Sequence, residues 1–251
     1  TTTDDYPSIK SDLCTEPVTL TDGENHIRAI VVADTGLVSP LASYTFTVGG
    51  IIEEVIFADS AVEQAVRQLL GVSEDVKLMS NQLWEITSFT VPVEAMSYED
   101  LRHMPFLQEL VIVNGSSGQL DILAGFSNLT ALTIQNTPLS ESELQLIGNL
   151  TTMRRLTLNN CGLSTIEPLG KLTGITYLDL GNNTIRNIQP LTGMVSLTEL
   201  KLQHNVLTDL GGLIAMKDLT RLDISYNSLT SLAPIANLSK LMWLDANHNQ
   251  L

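Results

Sequence analysis

Histidines and cysteines are the side chains of this sequence best suited to catalysis or metal binding. The two cysteines, Cys14 and Cys161, lie far apart and neither belongs to a C-x-x-C pair, so a disulfide would require two distant regions to touch. Among the four histidines, only His204 and His248 share a position in the repeat described below. They are two repeats apart, and since adjacent strands lie about 4.8 Å apart, their rings start roughly 10 Å from each other. The chain also has no H-E-x-x-H, G-x-S-x-G or phosphate-binding glycine loop. We therefore expect a protein that is not an enzyme and that holds no metal or cofactor.

Net charge narrows the choice of partners. The chain carries 28 Asp and Glu against 13 Lys and Arg, a formal net charge of −15. Nucleic-acid binders need a basic stripe to neutralise phosphates, and none is visible, so we expect no nucleic-acid partner. The excess of acidic residues is concentrated towards the N-terminus. Residues 1–49 carry seven acidic and two basic residues, and residues 50–106 carry ten acidic and three basic residues. Residues 107–251 are closer to balance, with eleven acidic and eight basic residues. No run of about 18 apolar residues is present, so we expect no membrane insertion by this chain.

Leucine, isoleucine and asparagine recur with a period of 22 residues. In the unit that starts at Ile175, apolar residues take positions 4, 6, 11, 14, 17 and 20, and Asn183 takes position 9. The unit at Leu129 departs from this period, because the next unit starts 24 residues later. It contains Ser140 and Glu143, which form a capping box that predicts a helical turn there. Units in the regular phase start at Met153, Leu197, Leu219 and Leu241, and looser units at Ile86, Leu107 and Leu129.

Each repeated position has a physical explanation. Positions 4 and 6 alternate, as the inward side chains of a short strand do. The Asn amide at position 9 can satisfy both the N–H and the C=O groups of a tight turn. Cys161 takes that position in one unit, where we expect a small buried side chain rather than a reactive thiol. Position 16 is Pro168, Pro190 and Pro234, which predicts a short 3₁₀-like turn. No unit can bury its apolar face alone, so the units must stack.

The motif L-x-x-L-x-L-x-x-N-x-I/L over residues 86–251 resembles the leucine-rich repeat family, in the 22-residue form of bacterial internalin-like surface proteins. The resemblance implies an α/β solenoid. Its right-handed superhelix would consist of short parallel strands with 3₁₀ or helical turns on the convex side. It also implies an extracellular or cell-surface location in a bacterium.

Residues 50–85 are expected to form the helical N-terminal cap of this solenoid. The segment "DSAVEQAVRQLLG", residues 59–71, predicts one amphipathic helix that begins with a capping box of Ser60 and Glu63 and stops at Gly71. Val62, Val66, Leu69 and Leu70 are expected on its inner face. A helix lying on a membrane surface is the alternative, but its charges are mostly acidic.

Residues 1–49 predict a partial all-β module. "PVTLTDGENHIRAIVV" and "SPLASYTFTV" are strand-like and are separated by turn signals. They resemble part of an immunoglobulin-like module similar to the C-terminal domain of chitobiase-type enzymes. The module lacks its opening strands, and Leu251 is position 11 of an unfinished unit. We therefore expect a fragment of a longer protein, which would explain the absence of a signal peptide.

The outward strand residues are the candidate binding surface. Positions 3, 5, 7 and 8 form ladders across the concave face, and aromatic and Arg side chains there are of the types found at interaction hot spots. For the charged residues, the alternative is that they only form ion pairs with neighbours along the ladders, as Glu199 would with Arg221. This alternative does not explain Asp223 and Asp245, which are neighbours of like charge. Towards the N-terminus the face is small and partly apolar, at Val111, Val113, Thr133 and Thr157. The candidate ligand-binding residues are Tyr177, Asp179, Glu199, Lys201, His204, Arg221, Asp223, Tyr226, Trp243, Asp245 and His248.

The sequence is compatible with three functional hypotheses. The first is a non-catalytic binding module of a secreted or surface-attached bacterial protein, whose concave face takes a protein or glycan, with the β module as a spacer. The second is an accessory region of a large secreted carbohydrate-active enzyme whose catalytic domain lies elsewhere. The third and weakest is an intracellular scaffold.

Overall fold

The structure is a computed structural model that describes residues 23–29, 42–48 and 52–251. The first two segments are antiparallel strands, β1 (Gly23–Ala29) and β2 (Ala42–Val48), in a register that pairs Gly23 with Val48. The rest of the expected immunoglobulin-like module lies outside the described residues. The chain divides into two compact units, residues 1–54 with 79–81 and residues 55–78 with 82–251. The boundaries expected at 49/50 and 85/86 remain predictions.

Helix α1 (Ser60–Leu70) confirms the amphipathic helix and corrects its start. Asp59, not Ser60, is the N-cap, because its carboxylate accepts the N–H groups of Ala61 and Val62. The prediction of a capping box between Ser60 and Glu63 was therefore wrong. Glu63 instead forms an ion pair with Arg67 at 2.7 Å. The helix ends at Gly71 as predicted, in the left-handed conformation with φ of 66° that glycine adopts without strain.

The inner face of α1 is narrower than expected. Val62 and Val66 are fully buried, but Leu69 is 55% exposed. A short second helix, α2 (Ser80–Leu83), follows. Buried Leu83 at its end contributes to the core of the larger unit.

Two buried carboxylates join the start of α1 to the first repeat. Asp100 accepts the N–H groups of Ala58 and Asp59, at 3.0 and 2.7 Å. Asp59 in turn accepts those of Met96 and Ser97, at 2.6 and 3.0 Å. Burial raises the pKa of Asp59, but the backbone N–H groups that bind its carboxylate lower the pKa by a larger amount. The pKa of Asp59 is therefore below its ordinary value. The cap is thus tied to the solenoid by charge-assisted hydrogen bonds.

Eight parallel strands form one sheet in chain order, as the repeat predicts. Each strand begins at position 3 of its unit, and position 4 is aligned throughout, so that Leu178 lies between Leu156 and Leu200. These leucines are fully buried. The strands are β3 (Ser88–Thr90), β4 (Glu109–Val113), β5 (Ala131–Gln135), β6 (Arg155–Asn159), β7 (Tyr177–Asp179), β8 (Glu199–Lys201), β9 (Arg221–Asp223) and β10 (Trp243–Asp245).

The side opposite the strands is made of short turns, in agreement with the prolines at position 16. Pro168, Pro190 and Pro234 lie in the first turn of 3₁₀ helices, where a missing N–H leaves no carbonyl unpaired. The long unit instead carries helix α3 (Glu141–Gly148), with the predicted capping box of Ser140 and Glu143. The 3₁₀ helices span Glu99–His103, Leu120–Gly125, Glu167–Lys171, Gln189–Gly193, Gly211–Leu213 and Ala233–Ile235.

The asparagine at position 9 serves as an internal hydrogen-bonding hub. The side-chain oxygen Oδ1 of Asn183 accepts the N–H groups of Cys161 and Leu163, both at 3.0 Å. Its amide donates to the carbonyls of Leu158, Leu180 and Gly181. The hub therefore satisfies backbone groups of its own turn and of the preceding one, as predicted.

Cys161, which replaces this asparagine in one unit, is fully buried and is a free thiol. Its sulfur contacts the carbonyls of Ile134 and Asn159, and burial raises the pKa of the thiol to about 12. This confirms the expected buried side chain, and the absence of reactivity stays a prediction. Among the described residues, no helix is long and apolar enough to cross a membrane.

Candidate ligand-binding surface

The strands place the candidate residues in straight ladders. We call the residues at position 3 of successive units the position-3 ladder, and name the other ladders in the same way. In the position-3 ladder, Tyr177 is aligned with Glu199, Glu199 with Arg221, and Arg221 with Trp243. The structure therefore brings together the residues that the sequence assigned to one face.

Cationic side chains lie next to aromatic rings at two places along the position-3 ladder. The guanidinium of Arg155 lies 4.4 Å from the centre of the Tyr177 ring, and that of Arg221 lies 4.7 Å from the centre of the Trp243 ring. Between these pairs, a Glu199 oxygen is 3.9 Å from Nε of Arg221. Cation–π contacts at exposed sites stabilise by about 0.5–1 kcal/mol each, so they orient these side chains more than they stabilise the fold.

Lys201 connects the position-3 and position-5 ladders. Its Nζ donates to the Tyr177 hydroxyl at 3.1 Å and lies 3.5 Å from a Glu199 oxygen. Burial lowers the pKa of Lys201, but the Tyr177 hydroxyl and the charges of Asp179 and Glu199 raise it by more, so the ammonium stays charged at neutral pH. In the strand register Lys201 lies between Asp179 and Asp223, but its direct contacts are made to Tyr177 and Glu199.

The aspartates of the position-5 ladder bind their own loops. Asp179, Asp223 and Asp245 each accept the N–H two residues further on, at 2.9–3.0 Å. Asp179 also accepts the Asn159 amide at 3.1 Å and is only 7% exposed. This explains how Asp223 and Asp245 can be neighbours of like charge, since each carboxylate is held by local donors. Asp179 has little surface left for a ligand.

The backbone of the position-8 ladder is left-handed, which the repeat pattern was not used to predict. From the unit at Leu107 onwards, the seven residues at this position all have positive φ, between 51° and 57°. This left-handed conformation is several-fold enriched in Asn, and the recurrence of Asn at position 8 was the available signal. The residues are Asn114, Asn136, Asn160, Asn182, His204, Tyr226 and His248.

Three rings continue this ladder at its C-terminal end. Tyr226 stacks on His204 with ring centres 4.1 Å apart and on His248 with ring centres 4.0 Å apart, and each pair lies within 12° of parallel. Both faces of the Tyr226 ring are therefore covered by the neighbouring imidazoles. No group of three or more His, Cys, Asp or Glu side chains that could hold a metal ion occurs in the described part of the chain.

Tyr226 and Trp243 remain substantially exposed, at 44% and 40%. They lie on the same face, in the position-8 and position-3 ladders. The N-terminal part of the face is different, because Val111, Val113 and Thr133 are half-buried and Glu109 is the only charged residue on strands β3 to β5. The aromatic and cationic groups are thus confined to the C-terminal part.

Comparison with known proteins identifies the repeat. A family model described as leucine-rich repeats in two copies matches residues 151–193 and 195–240. A search of curated proteins finds no significant match.

Solved structures extend the likeness over most of the chain. Internalin C2 from Listeria monocytogenes is 26% identical, with a TM-score of 0.70, over 78% of this chain and 86% of that one. Internalin InlF from the same organism is 25% identical, with a TM-score of 0.58, over 77% of this chain and 70% of that one. A TLR13–ssRNA13 complex, at 24% identity and a TM-score of 0.50 over 61% of this chain and 23% of that one, shares the fold alone.

Proposed function

Because this chain is a leucine-rich repeat protein of the internalin-like type, we propose that it is a non-catalytic binding module that takes a protein ligand on its concave face. A solenoid of this kind is a scaffold whose rigid sheet presents side chains rather than a chemical centre. The ligand-binding residues are proposed on strands β7 to β10 and on the loop positions that follow them.

The observation that supports this proposal is the cluster of half-buried Tyr177 and Lys201 with exposed Arg221 and Trp243, together with the ring stack around Tyr226. These side chains are held by neighbours of the same face, at 3.1 Å for Lys201 to Tyr177 and 4.7 Å for Arg221 to Trp243. Tyr, Trp and Arg dominate interaction energies when a partner covers them. Because their rotamers are already restricted, binding loses less side-chain entropy than it would for free side chains.

A protein ligand is favoured over a glycan by the mixture of charges on this surface. Arg155, Lys201 and Arg221 alternate with Glu199, Asp223 and Asp245 over neighbouring strands. This alternation offers ion-pair partners to both the acidic and the basic side chains of a protein ligand. It also makes binding specific and fixes the position of the ligand along the face.

The setting of the module is part of the proposal. By its similarity to the two internalins, we infer a bacterial protein that is secreted or attached to the cell surface. The β strands near the N-terminus would belong to an immunoglobulin-like spacer that holds the solenoid away from its anchor.

The test is a binding screen with two forms of the chain. Wild type and the triple variant Y177A/Y226A/W243A are compared on a panel of extracellular host proteins and a panel of glycans. We expect a ligand among the proteins, and a loss of binding of at least about tenfold in the variant. A matched control changes the exposed apolar residues Val195 and Ile214, which lie outside the strands, to Ser. Equal binding by wild type and the triple variant would place the site elsewhere, and a glycan hit would replace the protein ligand.

A further inference from the structure

The edge strand β3 lies beside a groove that the concave-face proposal does not use. Within the described residues, β3 pairs with β4 alone. The groove has a volume of about 540 Å³ and is lined by Ala65, Gln68 and Leu69 of α1 and by residues 88–90 of β3. Leu69, the residue expected to face the core, is 55% exposed at this groove.

The outward backbone of β3 is available for pairing. The Thr87 carbonyl accepts the Glu109 N–H at 3.0 Å, and the Val91 N–H donates to the Val111 carbonyl at 2.9 Å. Bonding alternates along a parallel ladder, so the N–H and C=O groups of Ser88 and Thr90 point away from β4. None of the hydrogen bonds between described residues uses these outward groups. A short edge of this kind is a template for an added strand.

The two sides of this edge differ in chemistry, and the difference defines the occupant. Side chains of an added strand would alternate between the apolar side, at Ala65 and Leu69, and the concave side, at Ser88 and Glu109. Glu109 is exposed there, with an oxygen 3.3 Å from the Ser88 hydroxyl. The strands β3 to β5 carry no basic residue, and residues 50–106 carry ten acidic against three basic residues.

We propose that the edge of β3 and the groove beside α1 bind an extended peptide segment of a partner protein by strand addition. The segment alternates apolar residues, which enter the groove beside Leu69, with basic residues, which lie beside Ser88 and whose long side chains extend across β3 towards Glu109 on β4. Backbone hydrogen bonds to Ser88 and Thr90 supply affinity, and the two rows of side chains supply specificity. This surface is separate from the proposed concave site, and either can exist without the other.

The test uses synthetic peptides and the full 251-residue chain. The probe is a seven-residue peptide of alternating Val and Lys, blocked at both ends, with a matched peptide of alternating Val and Glu. Fluorescence anisotropy with a labelled probe should show binding of the Lys peptide, weakening with salt, and at least about tenfold weaker binding of the Glu peptide.

Two protein variants separate strand addition from simple attraction. Thr90→Pro removes an outward N–H without touching the β4 ladder, and Thr90→Ala keeps it. We expect the Lys peptide to bind T90A as it binds wild type, and T90P about tenfold more weakly. Glu109→Gln should weaken binding several-fold and reduce its salt dependence.

A peptide-side control covers the case in which T90P does not fold. Methylating the backbone nitrogens of one alternating set of residues in the Lys peptide should abolish binding, whereas methylating the other set should not, since only one edge of an added strand faces β3. The proposal is overturned if both methylated peptides bind like the parent, if folded T90P binds like T90A, or if the Glu peptide binds as well as the Lys peptide.

Discussion

Arg221 and Trp243 are neighbours on adjacent strands, and the guanidinium carbon of Arg221 lies 4.7 Å from the centre of the indole ring. The same arginine approaches Glu199 on the other side, with Nε 3.9 Å from a carboxylate oxygen. The residues therefore act as one preorganised surface. Replacing Trp243 removes an apolar contact and at the same time frees an arginine, so its effect on binding should exceed that of the lost area alone.

The left-handed backbone of the position-8 ladder predicts an unusual order of stability among variants at Tyr226. Its φ is 53°, where Asn is tolerated and a β-branched residue is strained. Tyr226→Val should lower the free energy of unfolding by about 1–3 kcal/mol more than Tyr226→Asn does, since both lose the ring stack and only Val adds strain. Urea denaturation measures both. At Tyr177, in an extended strand, the order should be reversed, with Val preferred to Asn. An equal loss at Tyr226 would contradict the role of the left-handed backbone.

The asparagine hub predicts a large and local loss of stability. Asn183→Ala leaves the buried N–H groups of Cys161 and Leu163 without their acceptor and removes a donor from three carbonyls, two of which keep another donor. It should therefore cost about 2–5 kcal/mol in the free energy of unfolding. The control Asn237→Ala, at an exposed position, should change it by less than about 0.5 kcal/mol. A loss at Asn183 no greater than at Asn237 would show that water replaces the amide.

Cys161 is predicted to be inert in the folded protein. Its thiol is fully buried and its pKa is about 12, so at pH 8 it is neither accessible nor ionised. In a Cys14→Ser variant, which leaves Cys161 as the only thiol, a disulfide reagent such as DTNB should react slowly in buffer and rapidly in denaturant. Rapid reaction in buffer would contradict the buried position.

The buried Asp59 predicts sensitivity to acid. Its pKa is lowered below the ordinary 3.8, so the stability it contributes is fully present above pH 3.8 and is lost as the pH falls through the lower, folded-state pKa. Asp59→Asn should be less stable than wild type at pH 7, and its stability should fall less steeply below pH 4. Urea titrations from pH 7 to pH 2 test this. Parallel curves for the two proteins would exclude the carboxylate as the source.

The solenoid could be predicted from the sequence because its packing is periodic. Leu178, Asn183, Ile185 and Pro190 recur in phase, and each position meets the same environment in every unit. Burial, turn bonding and the 3₁₀ turn then follow from residue type alone. The long unit is no exception, since Ser140 and Glu143 are close in sequence and their bonds are local.

What could not be predicted depends on distant contacts. Ser60 and Asp59 are both good N-caps, and the choice of Asp59 is made by its second oxygen, which binds Met96 and Ser97 in the first repeat. In the same way, Lys201 had two aspartates beside it in register, but those carboxylates are taken by their own loops and the Tyr177 hydroxyl is the partner. The repeat therefore predicts which residues are neighbours, but it does not predict which of several nearby groups a side chain binds.

The central claim, a ligand site on the C-terminal part of the concave face, is tested most directly by one affinity comparison. The ligand recovered by the wild-type chain is titrated calorimetrically against W243A, Y177A and the control V195S/I214S. W243A and Y177A should each bind at least about tenfold more weakly, while the control should bind as wild type does. Unchanged affinity in W243A and Y177A would contradict a ligand site on this part of the face.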